Sequence, residues 1–203
     1  MQVITYIPTF IMITTRQKEI IAAAGKLLTH SGINGLTIKN LASEMDFTEG
    51  AVYRHFKSKE EIILLMLEYL ATDMDERLSA LPKSNDPQQH LNDIFENQLD
   101  FFSRHPHFVV VAFSDGLMEI SEEINAAILK IMTIKMKHLF PVIFSGQKKG
   151  FFTTAVSTEE IIQMIIGTFR LQMFRWRILG YQEDIKRSGM KSIQSIVQVI
   201  KSK

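Results

Sequence analysis

The sequence predicts an all-α protein, in which an N-terminal helix-turn-helix unit of three helices is joined by a fourth helix to a larger helical domain. Apolar residues recur at helical spacing along most of the 203 residues, strand-like alternation is scarce, and five prolines are few for this length. Hydrophobic residues make up 46% and charged residues 22% of the chain, which is typical of a globular protein that can bury a core.

The composition also argues against several classes of function. The chain contains no cysteine, which excludes a disulfide scaffold, a cysteine-ligated zinc site and a cysteine nucleophile, and fits a reducing cytoplasmic location. A net charge of +1 argues against a polybasic nucleic-acid coat but leaves a local basic patch open. No apolar run approaches the ~20 residues of a membrane span, and no catalytic or phosphate-binding motif is present. We therefore expect no membrane association, no cofactor and no enzymatic activity.

Residues 36–59 organise the N-terminal part of the chain. They predict two short helices joined by a tight turn, because an apolar stripe at i, i+3, i+4 and i+7 stops at residue 46 and then resumes. The stripe comprises Ile38, Leu41, Ala42 and Met45 before the break and Ala51, Val52 and Phe56 after it. Helices this short cannot bury their own apolar faces, so they must pack on flanking helices.

Helix boundaries in this part follow from capping residues. Thr37 and Thr48 are the expected N-caps of the two short helices, and Gly32 is the expected stop of a helix that begins near residue 15. Ser58 and Glu61 predict a capping box in which each side chain satisfies the other's backbone amide, opening the fourth helix.

The rest of the chain predicts further helices. A linker with two prolines spans residues 82–87, and Asn85 or Asp86 caps the helix that follows it. The valines within residues 108–113 also suit a strand, but a lone strand in an all-α chain has no partner, so a short buried helix is predicted. Ser121 opens a long helix that ends before a loop at residues 146–152.

Two apolar helices, at about residues 157–179 and 186–201, end the chain. They look too apolar to be covered by one chain, which predicts a two-fold four-helix dimer interface. The predicted domains are an N-terminal arm over residues 1–14, a helix-turn-helix domain over 15–62 and a larger helical domain over 63–203. The arm lacks the positive region and cleavage site of a secretion signal, and we expect it to have no specific role.

The N-terminal part contains a motif in fixed register, which comprises Thr37, Leu41-Ala42, Tyr53-Arg54-His55-Phe56 and Lys59. This motif closely resembles the TetR family of bacterial transcriptional regulators. The resemblance covers about residues 15–70, and the rest of the chain is similar in outline. It implies a homodimeric regulator of transcription, more commonly a repressor, that binds a palindromic operator in double-stranded DNA. It also implies that a small-molecule inducer moves helix 4 and so changes the spacing of the two DNA-reading domains.

The sequence departs from the family pattern at one position in the turn. Asp46 stands where the family usually has glycine. Aspartate tolerates the left-handed backbone conformation better than most residues, so the turn is expected to form.

Several residues are predicted to position the DNA backbone. The N-termini of the two short helices offer free amides to phosphates, and Thr37 and Thr48 add hydroxyl groups there. Tyr53, His55 and Lys59 supply a phenol, an imidazole and an ammonium group along the same edge. Such groups set the register on DNA without reading its sequence.

The exposed side of the third helix is predicted to face the bases. Arg54 suits bidentate pairing with guanine, and Ala51 suits contact with a thymine methyl group. Gly50 allows close approach of the backbone. Lys39 is expected to reach a base or a phosphate. Two roles remain open for Glu49: accepting a hydrogen bond from cytosine, or serving the helix N-terminus alone.

The larger domain is rich in adaptable apolar side chains, which suit a core and also a pocket for apolar ligands. For Arg170 two roles remain open: an ion pair with Glu159, Glu160 or Asp184 across the dimer interface, or binding of the acid group of a fatty-acid-like ligand. By resemblance to the family, we expect a small apolar or amphipathic inducer to contact Phe102, Phe108, Phe113, Met132, Met136, Phe169, Arg170 and Met173.

Other functions were weighed against this one. His105 and His107 could ligate a metal together with Asp100 or Asp115, but they flank a proline and sit poorly on one helix face, so no metal site is expected. A helical enzyme is not supported by any motif. A DNA-binding architectural or division protein of the same fold, without a small-molecule inducer, remains the alternative.

Overall fold

The computed structural model describes residues 14–113, 117 and 121–202. Over these residues the chain is α-helical, as predicted, apart from one antiparallel bridge between Phe152 and Lys201. No helix in the described part is long and apolar enough to cross a membrane. The predicted arm lies, except for Thr14, outside the described residues. The helices are α1 (Thr15–Gly35), α2 (Ile38–Glu44), α3 (Glu49–Tyr53), α4 (Lys59–Ser79), α5 (Pro87–Arg104), α6 (His107–Phe113), α7 (Glu122–Lys148), α8 (Thr158–Ile178) and α9 (Ile185–Ile200).

The helix-turn-helix is built from α1, α2 and α3. The Thr37 hydroxyl accepts a hydrogen bond from Asn40 N at 3.1 Å, and the Thr48 hydroxyl accepts one from Ala51 N at 3.2 Å, so both predicted N-caps are confirmed. Gly32 has φ +63° and interrupts the helical backbone within α1, which confirms it as the end of the regular helix. The predicted apolar stripe is buried or half-buried beneath the two short helices.

The turn between α2 and α3 forms around Asp46. Its φ of 54° is left-handed. Phe47 N donates to Ala42 O at 2.8 Å, and Asp46 N donates to Ser43 O at 3.3 Å. These two bonds form the Schellman motif that usually ends on glycine, so the prediction that aspartate would still allow the turn is confirmed.

The start of α4 corrects one detail. Ser58 Oγ accepts from Glu61 N at 3.4 Å, as predicted, but the Glu61 carboxylate accepts from Lys57 N at 2.7 Å. The predicted reciprocal bond to the Ser58 amide is therefore replaced by one to the residue before it. The carboxylate still satisfies a backbone donor at the helix entrance.

Asn85 and Asp86 were both predicted as possible N-caps of α5, and Asp86 is the cap. Its carboxylate accepts a hydrogen bond from Gln88 N at 2.8 Å. The valine-rich segment forms the buried helix α6, as predicted.

The end of α7 contradicts the sequence prediction. The helix continues to Lys148, so the first residues of the predicted loop are helical. Gly146, the first residue of the predicted loop, lies within the helix and leaves space for a neighbour, since a Cβ there would lie 2.2 Å from the Phe152 ring. The helix stops instead near Gly150, whose φ is +74°.

Helix α4 joins the helix-turn-helix to the larger domain and packs along α7. Glu68 of α4 pairs with Lys130 of α7. Two helical turns further along α4, Asp75 contacts Lys137 Nζ at 2.8 Å and His138 Nε2 at 2.7 Å. The short helix α6 packs against α1, α4 and α8, so it touches both domains.

Candidate nucleic-acid interface and ligand site

Most of the residues predicted to contact DNA are exposed on the helix-turn-helix. Ala51 and Lys59 are half-buried, and the other eight are exposed. Tyr53 is 51% exposed although it is a large aromatic residue, while nearby Phe56 is 3% exposed and belongs to the core. The exposed set is Thr37, Lys39, Thr48, Glu49, Gly50, Tyr53, Arg54 and His55.

The packing beneath this surface fixes its position. Val52 is fully buried and holds α3 on the core, which directs the opposite side of this short helix to solvent. The Arg16 guanidinium of α1 lies 4.9 Å from the centre of the Phe47 ring in the turn. Lys26 of α1 pairs with Glu44 of α2 at 3.0 Å. These contacts attach α2 and the turn to α1.

Gly50 lies at the first turn of α3 with no close neighbour. A Cβ at this position would meet only Thr48 Oγ1, at 4.0 Å. The protein itself therefore has room for a side chain there. A glycine lowers helix stability relative to alanine, so its presence on this surface fits the predicted close approach of another molecule.

In the larger domain, three of the residues predicted to bind ligand form one aromatic cluster. Phe102 of α5, Phe113 of α6 and Phe169 of α8 have ring centres 5.7 to 6.3 Å apart, and the Phe95 ring lies 5.5 Å from that of Phe169. We call Phe95, Phe102, Phe113 and Phe169 the aromatic cluster. The sequence predicted these helices but did not show that the four rings meet.

Other predicted ligand residues lie around this cluster or away from it. Met173 is fully buried on α8, and Met136 packs half-buried against the core. Phe108 stacks on Tyr69 of α4, with ring centres 5.8 Å apart. Met132 is 48% exposed on the surface of α7, so the structure does not bring it to the cluster.

Arg170 is also exposed, one residue beyond Phe169 on α8. Further along α8, Arg175 approaches Glu183 at 3.6 Å.

The structure reveals a cation that the sequence interpretation missed. Lys135 of α7 is 8% exposed, and its Nζ lies 4.5 Å from the Phe169 ring centre and 5.4 Å from that of Phe113. A signal was present, because Lys135 falls in line with Ile131 and Leu139 on the buried stripe of α7. Because lysines are normally exposed, Lys135 was not predicted to lie on the buried stripe.

The two histidines near the start of α6 lie close together. Their ring centres are 5.9 Å apart, and no group of three potential ligands occurs among the described residues. The His107 ring packs on α1, where a Cβ added to Gly25 would lie 2.9 Å from its Cγ. Burial, reinforced by His105, lowers the pKa of His107 to about 4. Asp115, also considered as a ligand, lies outside the described residues.

A three-helix unit with an exposed polar and cationic side, attached to a larger helical domain with an aromatic interior, defines a helix-turn-helix regulator of transcription. Comparisons with known proteins agree. Residues 20–66 match the family model for bacterial regulatory proteins of the tetR family, and residues 67–199 match the model for the C-terminal region of YsiA-like proteins.

Individual relatives are also named as transcriptional regulators. YuxN of Bacillus subtilis, an HTH-type transcriptional regulator, is 27% identical over 88% of this chain and 60% of its own length. The repressor NicS of Pseudomonas putida is 25% identical over 72% of this chain and 70% of its own. The structure of the fatty acid degradation regulator FadR from Bacillus halodurans superimposes with a TM-score of 0.79 at 17% identity, covering 91% of this chain and 95% of that one.

The chain belongs to the TetR family of bacterial transcriptional regulators. It is thus a DNA-binding regulator and not an enzyme. The C-terminal match covers residues 67–199, beyond the motif that carried the resemblance in the sequence.

Proposed function

We propose that the protein is a homodimeric, sequence-specific repressor that acts in the cytoplasm and leaves a palindromic operator when a small apolar or amphipathic ligand binds in its larger domain. The observation that carries this proposal is the exposed side of the helix-turn-helix. There, Tyr53, Arg54 and Lys39 are exposed, and the protein has room for a side chain at Gly50.

An exposed apolar surface on α8 and α9 supports the dimer. The buried stripe of α8 faces the core, yet a second stripe with near-heptad spacing faces solvent. A groove of about 510 Å³ runs between this stripe and α9. No neighbour lies within 4 Å of a Cβ built on Gly167, so another helix has room to approach closely there. The exposed residues include Met164 (44%), Leu171 (64%), Phe174 (49%), Ile178 (67%) and Val199 (80%).

Such a surface is expected to be buried by a second copy in a four-helix interface. The proposal requires a dimer at micromolar concentration, which light scattering after size-exclusion chromatography measures directly. Replacing Leu171 and Val199 by glutamate should give a folded monomer with greatly weakened operator binding. A wild-type protein that remains monomeric would contradict the proposed mechanism.

A ligand at the aromatic cluster would have a physical route to the DNA-binding domain. The Phe102 and Phe101 rings lie 5.6 Å apart, Phe101 and Phe108 5.5 Å apart, and Phe108 stacks on Tyr69 of α4. His107, next to Phe108, packs on α1. A shift of α6 would therefore act on both α1 and α4. Since α4 carries the DNA-binding domain, its tilt would change the spacing of the two recognition helices.

The proposed division of roles in DNA binding is tested after in-vitro selection of bound sequences. Tyr53→Ala and Lys59→Ala should weaken binding to all DNA sequences alike, and Lys59→Ala should reduce the salt dependence by about one phosphate contact. Arg54→Ala should change which operator is preferred, with an effect of about 1–3 kcal/mol at its base pair. Lys148→Ala, at the far end of α7, is the matched control and should leave binding unchanged. A uniform loss for Arg54→Ala would assign it to the DNA backbone.

The role of a ligand is tested by screening small apolar molecules for release of the selected DNA. Release by one compound class, with a matching reduction of that compound's affinity for the DNA-bound protein, would support the proposed induction. If no compound fits the cluster or releases DNA, the alternative of an architectural or division protein with this fold gains support.

A further inference from the structure

Lys135 is the buried lysine of α7, and it has no acidic partner among the described residues. Lys130 and Lys137, on the same helix, pair with Glu68 and Asp75 of α4. Lys135 is as long and flexible as they are, yet its ammonium is buried at 8% exposure against aromatic rings.

The rings compensate only part of the energy needed to bury this charge. A cation over an aromatic ring gains about 0.5–2 kcal/mol, whereas removing an ammonium group from water costs several kcal/mol. Burial accordingly lowers the pKa of Lys135 to about 8, which leaves the side chain mostly protonated at neutral pH. A charged group in this setting is stabilised strongly by any anion that reaches it.

The surroundings of Lys135 define what kind of anion would fit. Its ammonium contacts two members of the aromatic cluster, Phe113 and Phe169, and Phe102 lies next to both. The described residues around it therefore offer one positive charge at the edge of an apolar, aromatic region. This pattern suits a molecule with one negative group and a hydrophobic body.

We propose that Lys135, rather than Arg170, binds the acid group of the ligand, and that the ligand is a hydrophobic monocarboxylate. The carboxylate forms an ion pair with the Lys135 ammonium, and the hydrocarbon body lies against Phe102, Phe113 and Phe169. This inference rests on the ligand site of the proposed function and names its chemical class.

The experiment measures binding of dodecanoate and of its uncharged counterpart dodecanol to the free dimer by titration calorimetry. The wild type should bind dodecanoate at least about tenfold more tightly than dodecanol, a difference of ~1.4 kcal/mol. Lys135→Met, which keeps the length and apolar stem, should abolish this preference and leave dodecanol affinity within about threefold. Lys135→Arg should retain the preference.

The matched control is Lys137→Met. This exposed lysine of α7 is two residues away, and its partner Asp75 keeps its contact with His138. The control should bind both probes as the wild type does. Thermal unfolding of Lys135→Met should show equal or higher stability, because the variant no longer buries an unpaired charge.

Three results would overturn the inference: wild-type binding that does not distinguish the two probes, wild-type binding of neither probe, or an unchanged preference in Lys135→Met. A marked loss of stability in Lys135→Met with an unchanged preference would assign the lysine a structural role. Because the titration contains no DNA, the site is tested separately from induction. A dimer that binds dodecanoate through Lys135 without releasing DNA would refute the proposed induction and leave this site standing.

Discussion

Replacing Gly50 by alanine distinguishes an effect on protein stability from an effect on DNA binding. The added methyl group would meet only Thr48 Oγ1, at 4.0 Å, so it causes no clash inside the protein. Alanine is favoured over glycine in a helix by up to about 1 kcal/mol. Because α3 is short and Gly50 lies in its first turn, we expect a gain of roughly 0.5 kcal/mol in the free energy of unfolding.

The same substitution should weaken operator binding. If the backbone at Gly50 lies against DNA, an added methyl group must displace the recognition helix or lose its contacts. A lost base contact is worth about 1–3 kcal/mol, which corresponds to a roughly 5- to 150-fold higher Kd. Gly50→Ala should therefore be slightly more stable than the wild type and bind DNA at least about fivefold more weakly.

The assay combines urea unfolding with fluorescence anisotropy on the selected operator at fixed salt. The stability measurement serves as the internal control, since a loss of binding in a better-folded protein cannot come from misfolding. Operator affinity within twofold of the wild type would refute the close approach of DNA at this helix. A clear loss of stability would show instead that the space around Gly50 is not free.

Three further changes test the fold. Asp46→Gly should raise the free energy of unfolding by roughly 0.5–1 kcal/mol, because glycine adopts the left-handed conformation at this turn without strain; urea unfolding that shows no gain would mean that Asp46 is not strained there. Ser58→Ala should lower it by about 1 kcal/mol through loss of the α4 cap, and Glu61 N should lose its protection from hydrogen exchange. The pKa of His107 is lowered to about 4 in the folded protein, whereas an unfolded histidine has a pKa of about 6.5. The unfolded chain binds the proton more readily between these values, so stability should fall by up to roughly 3 kcal/mol as the pH drops from about 6.5 to 4. Thermal melts of His107→Leu should lack this fall, and an identical pH profile in both proteins would contradict it.

Membership in a DNA-binding family followed largely from local pattern. The Thr37 and Thr48 caps, the left-handed Asp46 and the exposed Tyr53 all depend on residues within a few positions along the chain. Helix caps and turns are held by hydrogen bonds between near neighbours, which a sequence displays directly. For this reason the helix-turn-helix and the placement of its exposed residues agree with the prediction.

The interior of the larger domain was decided by packing between helices that are far apart in sequence. On α7 the apolar Met132 faces outward and the charged Lys135 faces inward, the reverse of what hydrophobicity indicates. Gly146 lies within its helix, where a side chain would clash with the Phe152 ring. A helix with apolar residues on several sides does not reveal which side a distant partner will cover. The sequence alone therefore determined the helices, most of their caps and the exposure of the residues predicted to contact DNA, whereas tertiary packing brought the aromatic rings together beside a buried cation.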